Sequence, residues 1–183
     1  MDSGQTAFRI LDSLSGIAPA EWNALARCGG ELQPALRHEF LHALHETGCA
    51  AGQSGWLPQY LSLWRDGRLA AAMPLYVKHH SYGEYVFDWA WADAYQRAGL
   101  EYYPKLLSAI PFTPVSGPRL LGADAADRES LARRALELAQ QVSSLHVLFP
   151  TVEEGRLLRE AGMLLRNGVQ FHWDNPGYAS FEQ

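Results

Sequence analysis

The segment 60-YLSLWRDGRLAAAMPLYVK-78 decides the topology of the chain, because it joins two apolar runs through a tight turn. Asp66 and Gly67 lie between the runs. Asp-Gly in that place predicts a β-hairpin, since both central residues of such a turn need a positive φ. We therefore expect strands over residues 60–65 and 68–78. Pro74 interrupts the second strand and predicts an edge position or a bulge, because proline cannot donate to the ladder.

Periodic patterns on both sides of the hairpin predict the other elements. Before it, alternation over residues 8–14 predicts a strand, and apolar stripes predict one helix from Pro19 and a second over 37–47. The elements predicted after it are a strand at 106–110, a helix at 125–142, a strand at 145–149, a helix from the capping box Thr151–Glu154, and a strand at 163–173. Helices return between the late strands, which indicates a partly parallel sheet. The predicted fold class is α/β, with a central mixed, twisted sheet flanked by helices.

Composition and charge exclude several classes of function. The chain has 183 residues, which suits one domain, and a formal net charge of −5 without a Lys/Arg block. DNA is therefore a poor partner. No apolar stretch approaches the ~20 residues of a membrane helix, and the first residues do not read as a signal peptide, so we expect a cytoplasmic protein. Cys28 and Cys49 fit no metal-binding spacing and are predicted to be reduced thiols.

Four long motifs carry a family resemblance from about Trp22 onward. They are PLYVKHHSYGEYVFDWAWADAYQRAGLEYYPKLL, PFTPVSGPRLL, SSLHVLFP and GVQFHWDNPGYASF. These motifs and the order of the elements resemble the FemAB-like predicted N-acyltransferases, which have the GNAT acyltransferase fold. The resemblance implies a single GNAT-like domain over residues 1–174. It also implies that residues 175–183 are a tail, or the start of a linker to a second GNAT-like half that this sequence lacks.

The resemblance further implies transfer of an acyl or aminoacyl group to an amine, with a cell-wall precursor peptide as the acceptor. The co-substrate of the full-length protein would be acyl-CoA or aminoacyl-tRNA, and no tightly bound cofactor is expected. A working GNAT domain usually holds pyrophosphate at a glycine-rich turn before a helix. The matching stretch SGPRLLGADAADRESL lacks that turn and carries Asp124, Asp127 and Glu129. We therefore expect this half to recognise the acceptor more than the donor, and the fragment alone to be incomplete as an enzyme.

Histidines and acids supply the candidate catalytic residues, which are Glu84, Asp88 and His80. His79 and His80 point to opposite faces of a strand, which makes them a poor metal pair, and no metal is expected. His80 is either a general base or a histidine hydrogen-bonded at the end of a strand. Each acid is a base, a holder of the acceptor's ammonium group, or the partner of a neighbouring cation.

Aromatic residues and flanking cations supply the candidate substrate-binding residues. Tyr85, Phe87, Trp89 and Trp91 alternate, so in an extended stretch they would share one face. That face would form a groove wall, a piece of core, or a docking surface. Cations on either side of it would hold a phosphate or carboxylate, or form surface ion pairs. The substrate-binding candidates are Lys78, Tyr82, Trp89, Trp91, Asp93, Tyr102, Tyr103, Lys105 and Arg119.

Two hypotheses of function follow. The first is a domain of an N-acyltransferase, catalytic mainly through positioning of the amine and stabilisation of the developing oxyanion. The second is a non-catalytic binding or docking module with a degenerate acyltransferase fold. Its aromatic face would meet the second half of the same protein or, if the chain ends at Gln183, a second copy in a homodimer.

Overall fold

The computed structural model describes residues 5–27, 30–86, 88–169, 171, 174 and 176–180. This described part contains five α-helices, and its seven strands form two small sheets. The helices are α1 (Pro19–Ala26), α2 (His38–Glu46), α3 (Trp89–Arg97), α4 (Ala125–Ala139) and α5 (Val152–Glu160). The strands are β1 (Thr6–Leu11), β2 (Trp56–Pro58), β3 (Tyr60–Arg65), β4 (Arg68–Met73), β5 (Tyr76–Lys78), β6 (Lys105–Ser108) and β7 (Leu145–Val147). The sheet orders are β1-β3-β4 and β2-β5-β6-β7.

The hairpin predicted at Asp66-Gly67 is confirmed. The two turn residues have φ values of 51° and 77°, and β3 pairs antiparallel with β4. A bulge between Leu63 and Trp64 shifts the register within the pair. Bulges increase the local twist of a strand pair, which fits the twisted sheet that the sequence predicts.

Pro74 marks the place where the two sheets separate. β4 lies in one sheet and β5 in the other, and the partner strands β2 and β3 divide in the same way at Gln59. A hydrogen bond of 2.8 Å from the Gln59 N–H to the Leu75 carbonyl ties the two strands together there. The interruption predicted at Pro74 is therefore confirmed, and the proline needs no ladder partner at this position.

Helices cover both faces of the sheets, which confirms the mixed α/β class. α1 and α2 pack on a core that includes Trp22, Leu41 and Trp56, whereas α4 packs on a second core around Leu61 and Leu131. β6 and β7 are parallel and are joined through α4, while the other pairs are antiparallel. None of the described helices is long and apolar enough to span a membrane.

Two predictions made for extended segments were wrong. The aromatic run becomes helix α3 from Trp89 onward, so Trp89 and Trp91 do not share a strand face. Three alanines within α3 favour the helix, because alanine is the best helix former. The strand predicted at 163–173 is not formed by the described residues of that range. Leu164 and Val169 are 95% and 84% exposed there, so no packing holds the segment extended. Residues 170, 172 and 173 lie outside the described part, and so does Phe87 of the aromatic run.

Candidate functional site

Two buried lysines lie opposite each other on neighbouring antiparallel strands. Lys78 of β5 and Lys105 of β6 are direct partners in the register, and each is 0% exposed. Like charges directly opposite in a sheet repel each other, and a buried charge needs a partner. Glu84 and Asp88, which follow β5 in the chain, supply compensating carboxylates.

Lys105 is the centre of a buried network. Its Nζ donates hydrogen bonds to Asp88 Oδ2 at 2.6 Å, Ser81 Oγ at 2.8 Å and Glu84 Oε2 at 2.9 Å. Both carboxyl side chains are almost fully buried, at 1% exposed for Glu84 and 3% for Asp88. The ammonium group thus has an acceptor for each of its three protons. Tyr103 joins the network through its OH, which lies 2.8 Å from Ser81 Oγ.

Asp88 is held in its ionised form. Burial alone would raise the pKa of Asp88, but hydrogen bonds from Lys105, Ser81 and Tyr102 together lower the pKa below its usual value. The Tyr102 OH donates to the same Oδ2 at 2.8 Å. Asp88 also occupies the N-cap position of α3, yet its side chain makes no cap hydrogen bond. The network therefore uses a carboxylate that would otherwise cap the helix.

Glu84 is less well satisfied than Asp88. Its single side-chain hydrogen bond among the described residues comes from Lys105, and burial raises its pKa above the usual value. Glu84 Oε1 and Asp88 Oδ1 are both buried without a hydrogen-bond partner in the described part of the chain. Buried acceptors without partners are uncommon in folded proteins. The cluster thus presents two carboxylate oxygens that could accept further protons or donors.

Lys78 lies beside this network with little compensation. Its Nζ donates to the Tyr82 carbonyl at 3.2 Å and lies 3.8 Å from the centre of the Trp56 ring. Burial lowers the pKa of Lys78 to about 8, Glu84 opposes that shift, and Lys105 adds to it. Lys78 is therefore partly neutral just above neutral pH, as a lysine next to a second cation tends to be.

This lowered pKa predicts how stability depends on pH. From about pH 7.5 to about pH 9.5, we expect the free energy of unfolding of the wild type to rise by about 1–2 kcal/mol more than that of Lys78→Met. Lysine has a pKa of 10.5 when unperturbed and about 8 in this fold. The unfolded chain binds the additional proton in that window, so stability rises with pH. Urea denaturation of both proteins across the window measures the difference, and parallel curves would contradict the assignment.

Four residues around the cluster were not predicted as site residues from the sequence: Ser81, Ser144, His146 and Trp56. His146 Nε2 lies 3.3 Å from the Tyr102 OH and 2.9 Å from Ser144 Oγ. Burial lowers the pKa of His146 to about 4, so its ring is neutral at physiological pH. His146 is on β7, 44 residues along the chain from Tyr102. Only the parallel pairing of β6 with β7, which the sequence indicated in outline, could have placed it here.

The predicted site residues divide into two groups. Those that the structure brings into the cluster are Lys78, Glu84, Asp88, Tyr102, Tyr103 and Lys105. Tyr82 and Trp89 are 66% and 49% exposed, and their rings are 5.8 Å apart. His80 shares no hydrogen bond with the cluster in the described structure, and its Nδ1 accepts from the Tyr82 N–H at 3.2 Å.

The remaining candidates share no hydrogen bond with the cluster among the described residues. Asp93 is exposed and Trp91 is 53% exposed, both on α3. Arg119 is fully buried, and its guanidinium donates to the carbonyls of Leu148, Pro118 and Val115. Those contacts occupy the donors with which a bidentate anion site would be built.

A cleft of about 310 Å³ is lined by Gln33, Ser116, Gly117 and Thr151, none of which belongs to the cluster. Among the described residues, no group of three His, Cys, Asp or Glu side chains could hold a metal ion. The cluster's own side chains supply hydrogen bonding and proton transfer.

The chain matches a known protein family. The model of the FemAB-like family, described as peptidoglycan biosynthesis/recognition, matches residues 13–183. Neither the search of curated proteins nor the search of solved structures found a match.

Proposed function

The chain belongs to the FemAB-like family of peptidoglycan biosynthesis and recognition, and on that premise we propose that it is a domain of an N-acyltransferase. It would bind the acceptor, an amine on a cell-wall precursor peptide. The second GNAT-like half expected from the resemblance would bind the donor, acyl-CoA or aminoacyl-tRNA. The observation that carries this proposal is the pair of buried carboxylates, Glu84 and Asp88, each with one oxygen that no described residue contacts through a hydrogen bond.

The cluster fits the needs of an amine acceptor. A primary amine reaches the site mainly as an ammonium ion. It must lose one proton before the lone pair of its nitrogen can attack an acyl carbonyl. Glu84 Oε1 can accept such a proton, and the raised pKa of Glu84 moves the residue toward the range in which a general base works well near neutral pH. Asp88 stays ionised and holds the positive charge of Lys105 in place.

The surroundings of the cluster support the same role. Tyr82 and Trp89 form an exposed aromatic pair, and both are close in the chain to the two acids. Aromatic faces bind both the apolar stem of an amine-bearing side chain and its cationic end. We therefore assign Tyr82 and Trp89 to holding the acceptor and Glu84 to receiving its proton.

The test is binding of a nucleotide-linked muropeptide that carries a free side-chain amine. At a hundredfold excess over the Kd, we expect the ligand to stabilise the chain by ~2.7 kcal/mol. The same muropeptide with its amine acetylated should bind at least tenfold more weakly, because it cannot form an ammonium ion. Glu84→Gln should lose the same factor. The matched control is Glu129→Gln, at an exposed acid on α4 that pairs only with Arg133 among the described ion pairs. Equal binding of the free and acetylated ligands would reject the proposal.

A docking module remains the second candidate, and one observation favours it. Helix α3 contains no buried residue, and Trp89 and Trp91 are each about half exposed. Exposed tryptophans on one helix are typical of a surface that binds another protein. Under this hypothesis, Trp89→Ala with Trp91→Ala would abolish self-association in sedimentation equilibrium, whereas Glu84→Gln would not change it.

A further inference from the structure

The indole of Trp56 is a buried hydrogen-bond donor without an acceptor. Trp56 lies on β2 and is 0% exposed. Its Nε1 has no hydrogen-bond partner among the described residues. A buried N–H without an acceptor destabilises the fold, so such groups are rare unless a ligand or water uses them. None of the functions considered above uses this N–H.

A second unused donor lies against the same indole. The Lys78 ammonium is 3.8 Å from the centre of the Trp56 ring, and its one hydrogen bond in the described structure goes to the Tyr82 carbonyl. An ammonium group has three donors, so two of them are available. Glu84 is the acid that acts on the charge of Lys78, and its Oε2 already accepts a hydrogen bond from Lys105.

The ring of Phe112 lies against the indole N–H of this pair. A Cβ placed on Gly83 would stand 2.6 Å from Phe112 Cδ1 and Cε1 and 3.3 Å from Trp56 Nε1. The Phe112 ring and the indole N–H therefore border the same point, and the two ring centres are 5.5 Å apart. An aromatic ring is at best a weak acceptor for an N–H group.

Phe112 has the properties of a removable cover. Its side chain is 42% exposed although it is large and apolar. Its backbone has a φ of 58°, a left-handed conformation that bulky residues rarely adopt. The opposing position is Gly83, which has a φ of 80° and whose lack of a side chain makes room for the ring.

We propose that the Trp56 indole N–H and the Lys78 ammonium form a binding site for a carboxylate of a ligand, and that Phe112 covers this site when it is empty. A carboxylate fits better than a neutral carbonyl, because it brings the counter-charge that Lys78 lacks beside Lys105.

This site extends the proposed function without depending on it. Under that function, the same ligand would present an amine to Glu84 and Asp88 and a carboxylate to Trp56 and Lys78, as an amino acid or a peptide end does. The binding of a small carboxylate can be measured without any acyl transfer. A failure of this proposal is therefore distinguishable from a failure of the transferase proposal.

The first experiment follows the indole N–H signals by ¹H–¹⁵N NMR. The chain has six tryptophans, and triple-resonance experiments assign the Trp56 signal. Titration with N-acetylglycinate should shift that signal in a saturable way. N-acetylglycinamide, which keeps the carbonyl groups but has no carboxylate, should shift it at least tenfold less at equal concentration. Lys78→Met should weaken binding of the carboxylate at least tenfold. No shift with N-acetylglycinate, or equal shifts with both probes, would overturn the proposal.

The second experiment tests the cover. Phe112→Ala should speed hydrogen exchange of the Trp56 indole N–H at least tenfold and strengthen binding of N-acetylglycinate. The matched control is Phe40→Ala, which removes a phenylalanine of similar exposure, 37%, from α2. The control should leave both the exchange rate and the binding unchanged. Unchanged exchange in Phe112→Ala, with folding verified by the other indole signals, would show that Phe112 is not a cover.

Discussion

Replacing Lys105 with methionine is expected to lower the free energy of unfolding by about 3–5 kcal/mol, the usual cost of removing one partner from a buried ion pair. Lys105 is 0% exposed and donates to Asp88, Glu84 and Ser81 within 2.9 Å. Methionine keeps most of the length of the lysine side chain but leaves the carboxylates of Glu84 and Asp88 buried without their cation. Urea denaturation near neutral pH measures the loss.

Two further sets of substitutions serve as comparisons for Lys105→Met. Arg133→Met removes a cation from the exposed pair with Glu129 on α4, and it should cost less than about 1 kcal/mol. Adding Glu84→Gln and Asp88→Asn to Lys105→Met should recover part of the loss, because the neutral amides no longer need a cation. A loss of under about 1 kcal/mol for Lys105→Met itself would mean that the ion network does not hold the loop to the sheet.

Local signals in the sequence predicted the elements that are fixed by local chemistry. The Asp-Gly hairpin, the proline between β4 and β5, helix α4 and the capping box of α5 all depend on residues within a few positions of one another. The expectation that Trp89 and Trp91 would share one face of an extended stretch was wrong for a related reason. Alternating aromatics fit a strand, but the alanines between them fit a helix equally well, and the strand had no neighbour in the sheet with which to pair.

The candidate site could be predicted only in part, because its arrangement depends on contacts between distant residues. The sequence pattern indicated Lys78, Glu84, Asp88 and Lys105 as separate candidates. It did not show that the Lys105 ammonium donates hydrogen bonds to both acids, because this contact depends on the pairing of β5 with β6. The orphaned N–H of Trp56 was invisible for the same reason, because burial without a partner is a property of the folded chain.

Arg119 was predicted to bind substrate, but its guanidinium donates to three backbone carbonyls inside the fold. Its environment is built by Glu154, whose Oε1 accepts from the Arg119 N–H at 2.8 Å and the Leu120 N–H at 2.7 Å. The other oxygen, Oε2, accepts from the Thr151 N–H at 3.2 Å and completes the capping box of α5. Burial raises the pKa of Glu154, and the three backbone hydrogen bonds oppose that shift. One carboxylate therefore joins the start of α5 to the segment that carries Arg119.

Glu154→Ala is accordingly expected to lower the free energy of unfolding by about 3 kcal/mol, because three backbone N–H groups lose their acceptor. Glu154→Gln should cost only about 1 kcal/mol, since its carbonyl oxygen keeps the bonds to residues 119 and 120 and only the capping interaction is lost. Glu153→Ala is the matched control one residue earlier. That side chain is 78% exposed and pairs with Arg128, so its removal should change stability by less than about 0.5 kcal/mol. Urea denaturation of the three variants measures the order. If Glu154→Ala lowered the free energy of unfolding no more than Glu153→Ala, the Glu154 carboxylate would not be the link between α5 and the Arg119 segment. The buried guanidinium would then be held by its three carbonyl acceptors alone.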